Sequence, residues 1–80
     1  MAVEIAAHHC LFGNNRVEAR LNKKEAVALR ADTAIVSSNH VEGGEASIRL
    51  EVKTATVIGN MTSGAITNVP QVFIPLNLRF

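Results

Sequence analysis

The chain has 80 residues, a formal charge of +1, 48% hydrophobic residues and a single cysteine, Cys10. A chain of this length forms one domain and buries only about 60% of the surface its unfolded form exposes, and one cysteine excludes an intrachain disulfide. Interspersed charges leave no basic face for nucleic acid, and three phenylalanines without Tyr or Trp offer no stacking platform for single strands or sugars.

The amino-terminal MAVEIAAHHC carries Glu4 and lacks a basic n-region, so it does not read as a signal peptide. No apolar run approaches the roughly 18 residues of a membrane span. The expected setting is cytoplasmic or within a larger assembly, with no membrane partner. His8, His9 and Cys10 form the one cluster of good metal ligands, and His40 is the remaining histidine. On a strand, His8 and Cys10 would share a face and His9 would take the other. Zinc asks for three or four ligands, so His40 or a second chain would have to complete the set. A surface histidine pair followed by a cysteine buried as a small hydrophobe is the better reading. A Cys–His hydrolase would also need an oriented base and a donor pocket, which no carboxylate spacing indicates. No metal, cofactor or catalytic residue is therefore expected.

CLFGNNRVE at positions 10–18 is echoed by AIVSSNHVE at 34–42 and, more loosely, by ATVIGNMTSG from Ala55 to Gly64. Aligned on Asn15, Asn39 and Asn60, the segments place Val57 with Val36 and Phe12, Gly64 with Gly43, and Cys10 with Ala34 and Ala55. The spacings of 24 and 21 suit one coil of a β-solenoid and are too short for helical repeats. A helix over Arg16–Ala31 is the competing local reading, but the aligned HVEGG cannot be helical. The spacing instead predicts strands at Val17–Leu21 and Ala26–Leu29 around the turn Asn22–Lys24. Further on, Ile48, Leu50 and Val52 alternate, and Val57 shares their face only if the register resets near Lys53–Thr54. Gly43–Gly44, Gly59–Asn60 and Ser63–Gly64 punctuate the strands.

Stacked coils place equivalent residues about 4.8 Å apart, and a side-chain amide both donates and accepts. Asn15, Asn39 and Asn60 are therefore expected to form a structural ladder at one corner. GNMTSG lacks the lysine and spacing of a phosphate loop, and Asn60–Met61–Thr62 matches a glycosylation acceptor.

AIVSSNHVEGGEASIRL followed by ATVIGNMTSGAI resembles the repeats of right-handed parallel β-helix proteins. It is especially similar to the carboxy-terminal coils of large bacterial β-helix proteins without an assigned function. The resemblance implies an all-β, right-handed parallel solenoid of three to four coils in a single domain, 1–80. The coils fall at about 3–28, 29–50 and 51–69, with a proline-containing cap and association tail at 70–80. A small β-sandwich or barrel, with hairpins at Gly43–Gly44 and Ser63–Gly64, is the alternative. Enzymatic β-helices use clustered Asp, Arg or Lys on several long coils, whereas this chain has one aspartate, Asp32.

The tail residues Val72, Phe73, Ile74, Leu76, Leu78 and Phe80 exceed what so small a stack can bury, and mark a surface for another chain. The expected function is a non-enzymatic structural or assembly module, a homo-oligomer or one docked on a partner protein. The alternatives are a glycan- or small-ligand-binding module, with a cleft around His8, Arg16 and His40, or the remnant of a carbohydrate-active enzyme.

Overall fold

Val, Ile and Thr stiffen χ1 and favour extended backbone, and the two longest strands are drawn from segments rich in them. β4 (Glu25–Ser37) and β6 (Ala46–Ile58) are joined in the computed structural model by β1 (Val3–Ala6), β2 (His9–Gly13), β3 (Arg16–Glu18), β5 (His40–Glu42), β7 (Met61–Thr62), β8 (Ala65–Thr67), β9 (Val72–Phe73) and β10 (Leu78–Arg79). The structure describes residues 2–19, 24–67, 72–73 and 77–80, the backbone alone at 72–73. No helix occurs among the described residues. Leu21 and the turn at 22–23 lie outside them, as do both prolines, Ile74 and Leu76. The strand expected at Val17–Leu21 is described as Arg16–Glu18.

Every strand pairing among the described residues is parallel. The chain is a parallel β-solenoid of about three turns, and the sandwich alternative falls with the pairing. Gly43–Gly44 and Ser63–Gly64 are corners that lead from one sheet to another, because parallel strands cannot be joined by tight hairpins.

β4 and β6 each turn a corner without losing their partners. In β6, Ile48, Leu50 and Val52 point inward, Lys53 and Thr54 are both exposed, and Ala55 and Val57 point inward again. β4 does the same around Asp32–Thr33, and there the backbone N–H groups of both residues donate to the His8 carbonyl at 2.9 and 3.2 Å. β1 pairs with the first part of β4 and β2 with the second. The stack therefore has three faces. Face one holds β1, the first parts of β4 and β6, and β8; face two holds β2, the second parts, and β9; face three is β3–β5–β7–β10.

The register explains the changing repeat length. Six residues separate β3 from β4, three separate β5 from β6, and two separate β7 from β8. The first shortening accounts for the drop in spacing from 24 to 21. A further register shift lies between Ala46 and Ile48, where β6 meets β8.

Apolar columns fill the interior: Phe12–Val36–Val57, Val27–Ile48–Ile66, Leu29–Leu50 and Val17–Val41. Leu29, Ile48 and Leu50 are completely buried, each contributing about 1.5–3 kcal/mol by leaving water. Cys10 stacks on Ala34 and Ala55 and packs against this core.

Candidate functional site

The corner between faces two and three carries the most regular chemistry in the molecule. The residues before its asparagines, Asn14, Ser38 and Gly59, all have left-handed backbone, with φ of 55°, 57° and 70°. That conformation swings the chain from face two to face three and suits Gly and Asn best. It also delivers each following asparagine into the stack. Asn15 donates from its backbone N and its Nδ2 to Asn39 Oδ1, at 3.0 and 3.1 Å. Asn39 does the same to Asn60 Oδ1, at 3.0 and 2.8 Å, and Asn60 repeats it to Asn77 Oδ1, both at 2.9 Å.

The second Nδ2 hydrogen is used just as regularly. Asn39, Asn60 and Asn77 donate to the carbonyls of Phe12, Val36 and Val57 at 2.8–2.9 Å. Each acceptor lies three residues before the asparagine of the preceding coil. Asn39 and Asn60 are only 2% exposed, so these bonds replace the water that a buried amide would otherwise miss. The ladder thus has a fourth rung, Asn77, which the sequence spacings alone did not reveal. Its signal was Pro75–Leu76–Asn77, an asparagine ahead of a strand-like LRF, displaced to a spacing of 17 from Asn60.

This geometry leaves the asparagines no chemistry to perform. Asn60 Nδ2 is bonded to Val36 O, Asn77 Oδ1 and, at 3.4 Å, Ile58 O. A glycan on that nitrogen would break the ladder, so the Asn60–Met61–Thr62 match is structural.

The metal-ligand cluster is dispersed by the corner between faces one and two. His8 sits in the bend, with Nδ1 3.3 Å from Asp32 Oδ2. Lys53 Nζ lies 3.6 Å from Asp32 Oδ1, so His8, Asp32 and Lys53 stack coil upon coil. The hydrogen bond to His8, followed by the Lys53 charge, holds the Asp32 carboxyl below its usual range. His9 points outward, with Nδ1 2.6 Å from Thr33 Oγ1, while Cys10 turns toward the core, where burial pushes its thiol up. His8 and Cys10 therefore do not share a face; the bend resets the alternation that an unbroken strand would impose. Among the described residues, no group of three or more His, Cys, Asp or Glu side chains could hold one metal ion.

Nor does a cleft gather His8, Arg16 and His40. Arg16 and His40 are register partners on face three, while His8 occupies the other corner with Asp32. Face one has a shallow groove of about 240 Å³ lined by residues including Glu4, Ala28, Arg30, Arg49 and Glu51. Its arginines are already matched: Arg49 bridges Glu25 at 3.1 Å and Glu51, and Arg30 reaches Glu51 at 2.9 Å. Such surface pairs fix side-chain positions and add little stability.

Among the described residues, the large exposed apolar side chains form two groups. Leu11 and Ile35 are register partners on the outside of face two, 75% and 51% exposed. Met61, Leu78 and Phe80 lie on face three, and the Phe80 ring meets His40 edge-on at 5.0 Å. Of the tail residues expected to form an interface, Leu78 and Phe80 are exposed; the side chains of Val72 and Phe73 and all of Ile74 and Leu76 lie outside the described structure.

Fold and corner together define a parallel β-solenoid whose coils are held by an asparagine ladder. Comparison with protein-family models, with curated proteins and with solved structures finds no match. No helix among the described residues is long and apolar enough to cross a membrane.

Proposed function

We propose that this chain is a non-enzymatic structural module that assembles, with further copies of itself or on a larger partner protein, through its solenoid ends and apolar carboxy-terminal residues. The observation that carries this reading is the exposure of the apolar carboxy-terminal side chains Leu78 and Phe80, 57% and 50%. Among the described residues, β1 and β2 pair only with β4, and β3 pairs only with β5. A strand edge of this kind presents unpaired N–H and C=O groups and is a template for another strand. Repeat proteins ordinarily cover such ends. Covering Leu78 and Phe80 by association would supply buried area that an 80-residue chain lacks.

We read the winding as right-handed, as about 98% of parallel crossovers are, in keeping with the resemblance to coils of large bacterial β-helix proteins.

Multi-angle light scattering across the micromolar range tests the reading. A mass that is a multiple of 8.6 kDa and falls on dilution is expected. A mass fixed at one chain, with no partner recovered by crosslinking, contradicts it.

A further inference from the structure

On face three Val17, Val41 and Thr62 are buried in the stack, so their neighbours along each strand point outward. The register sorts those neighbours into two columns. Arg16, His40, Met61 and Leu78 lie one above another in the first. Glu18 and Glu42 are partners in the second. Phe80, whose backbone N donates to the Thr62 carbonyl at 2.7 Å, stands in that column two coils beyond Glu42. One column thus begins basic and the other acidic, and both run from charge to apolar surface along the stack.

We infer that face three packs face to face on the same face of a second copy of this chain, about a two-fold axis lying along the stack. This rests on the assembly reading above and narrows it to one lateral face and one partner. Further coils stacked on the solenoid would extend the sheet edgewise and leave these outer side chains open. The two columns choose the symmetry. An axis along the stack sets each coil opposite its own counterpart and reverses strand direction, so each column meets the other column of the partner. Arg16 then stands opposite the partner's Glu18, and Glu18 opposite the partner's Arg16. Within one chain Arg16 and Glu18 already pair at 3.1 Å, so the four groups form a ring of alternating sign. Sheets packed in this way stand about 10 Å apart, a gap that an arginine and a glutamate span together. His40 falls opposite the partner's Glu42. Met61, Leu78 and Phe80, 40%, 57% and 50% exposed, cover the same surface of the second copy.

An axis along the strands would instead set first coil against last and put Leu78 on Arg16. Face two offers Leu11 and Ile35, but no Asp, Glu, Lys or Arg stands on His9–Gly13 or Thr33–Ser37, so nothing there fixes a partner's orientation. Four short strands cover roughly 19 by 10 Å. The contact therefore belongs with small, transient interfaces and forms in the upper micromolar range of protein concentration.

Sedimentation equilibrium of the full chain, up to millimolar concentration, tests the inference. Arg16→Glu and Glu18→Arg each give the charged end of the face a single sign, and each should raise the dimer dissociation constant about tenfold, through like-charge contact. An equimolar mixture of the two variants should recover a two-chain species close to the parent affinity, because each supplies the charge the other lacks. Leu78→Ser should lose the dimer, and Leu11→Ser, on face two, should keep it. Association restored by mixing requires both charge variants to be folded, so damaged chains cannot produce it. A single-chain mass at millimolar concentration, a mixture no better than its components, or loss of the dimer in Leu11→Ser alone would overturn the inference. Self-association that ignores Arg16→Glu, Glu18→Arg and Leu78→Ser leaves the assembly reading standing through another surface and removes this one.

Discussion

Asn39 Nδ2 donates to Asn60 Oδ1 at 2.8 Å, and this side-chain contact ties two consecutive coils at a corner where both residues are buried. The Asn39 side chain serves four partners among the described residues: the N and Nδ2 of Asn15, the Phe12 carbonyl and Asn60 Oδ1. Asn39→Ala strands these groups and should cost about 3 kcal/mol in urea denaturation, since each buried group left unpaired costs about 1–3 kcal/mol. Asn39→Asp keeps the acceptor but turns a carboxylate oxygen toward two other acceptors. The introduced carboxyl should have a raised pKa in the fold, so its protonated form is the better tolerated. Relative to the parent, the variant should be more stable near pH 4 than at pH 7; a pH-independent difference would show that the donor role is dispensable.

The Gly64 corner has no room for a side chain. A Cβ there would stand 2.4 Å from the Gly44 carbonyl oxygen and 2.7 Å from that of Glu45, both backbone atoms of the coil beneath. Gly64→Ala should therefore cost about 1–3 kcal/mol by overpacking. At Gly13 the same methyl would meet only the Ser37 hydroxyl and carbonyl oxygens, at 3.5 and 3.6 Å, and Gly13→Ala should be neutral or slightly stabilising. Thermal melts of the two variants side by side check the contrast.

Ser38 and Gly59 occupy the same left-handed step one coil apart. Gly59→Ala has space, its Cβ lying 3.8 Å from the Ser38 hydroxyl oxygen, yet should lose about 1 kcal/mol to the conformational penalty alone. Ser38→Gly should be neutral or mildly stabilising in the same denaturation assay. Equal destabilisation by both would remove backbone conformation as the reason for small residues before the ladder.

Asp32 is held ionised by His8 and Lys53, so its folded pKa lies below its unfolded one. Its contribution to stability is present above the ordinary carboxylate range and is lost as pH falls through the depressed value. In Asp32→Asn the acid side of the stability profile should flatten relative to the parent. High salt should shrink the difference, because the three groups stand at the surface.

The Cys10 thiol is pushed up by burial, which makes it a poor nucleophile at neutral pH. Aromatic disulfide reagents should modify it more slowly than glutathione at pH 7.5, and urea should restore the rate. Neutral thiol is the form the fold prefers. Its share of stability is thus kept below the ordinary thiol pKa and lost as pH rises past the raised one. Reaction at the rate of a free thiol would place Cys10 on the surface.

The coil was readable because hydrogen-bond geometry demands the same residue at the same place in each turn. Asn15, Asn39 and Asn60 announce the corner, and the exposed pair Lys53–Thr54 is where the apolar alternation of β6 changes phase. Asn77 was hidden because a register shift near Ala46–Ile48 and short corners contract the last spacing, so the period that revealed the first three rungs no longer holds. The His8–Asp32–Lys53 stack was hidden for another reason. Its members share no residue type, and proximity arises only from the coil register. The expectation that His8 and Cys10 share a face failed at the same bend, which a sequence marks no more strongly than a polar pair within a strand.

The most direct test is hydrogen exchange of the asparagine side-chain amides, followed by NMR. The ladder predicts that the Nδ2 hydrogens of Asn39 and Asn60 exchange only when the solenoid unfolds, as slowly as the backbone amide of Val41. Exchange of these amides at the rate of a free asparagine side chain would contradict the ladder, and with it the reading of the repeated segments as scaffold.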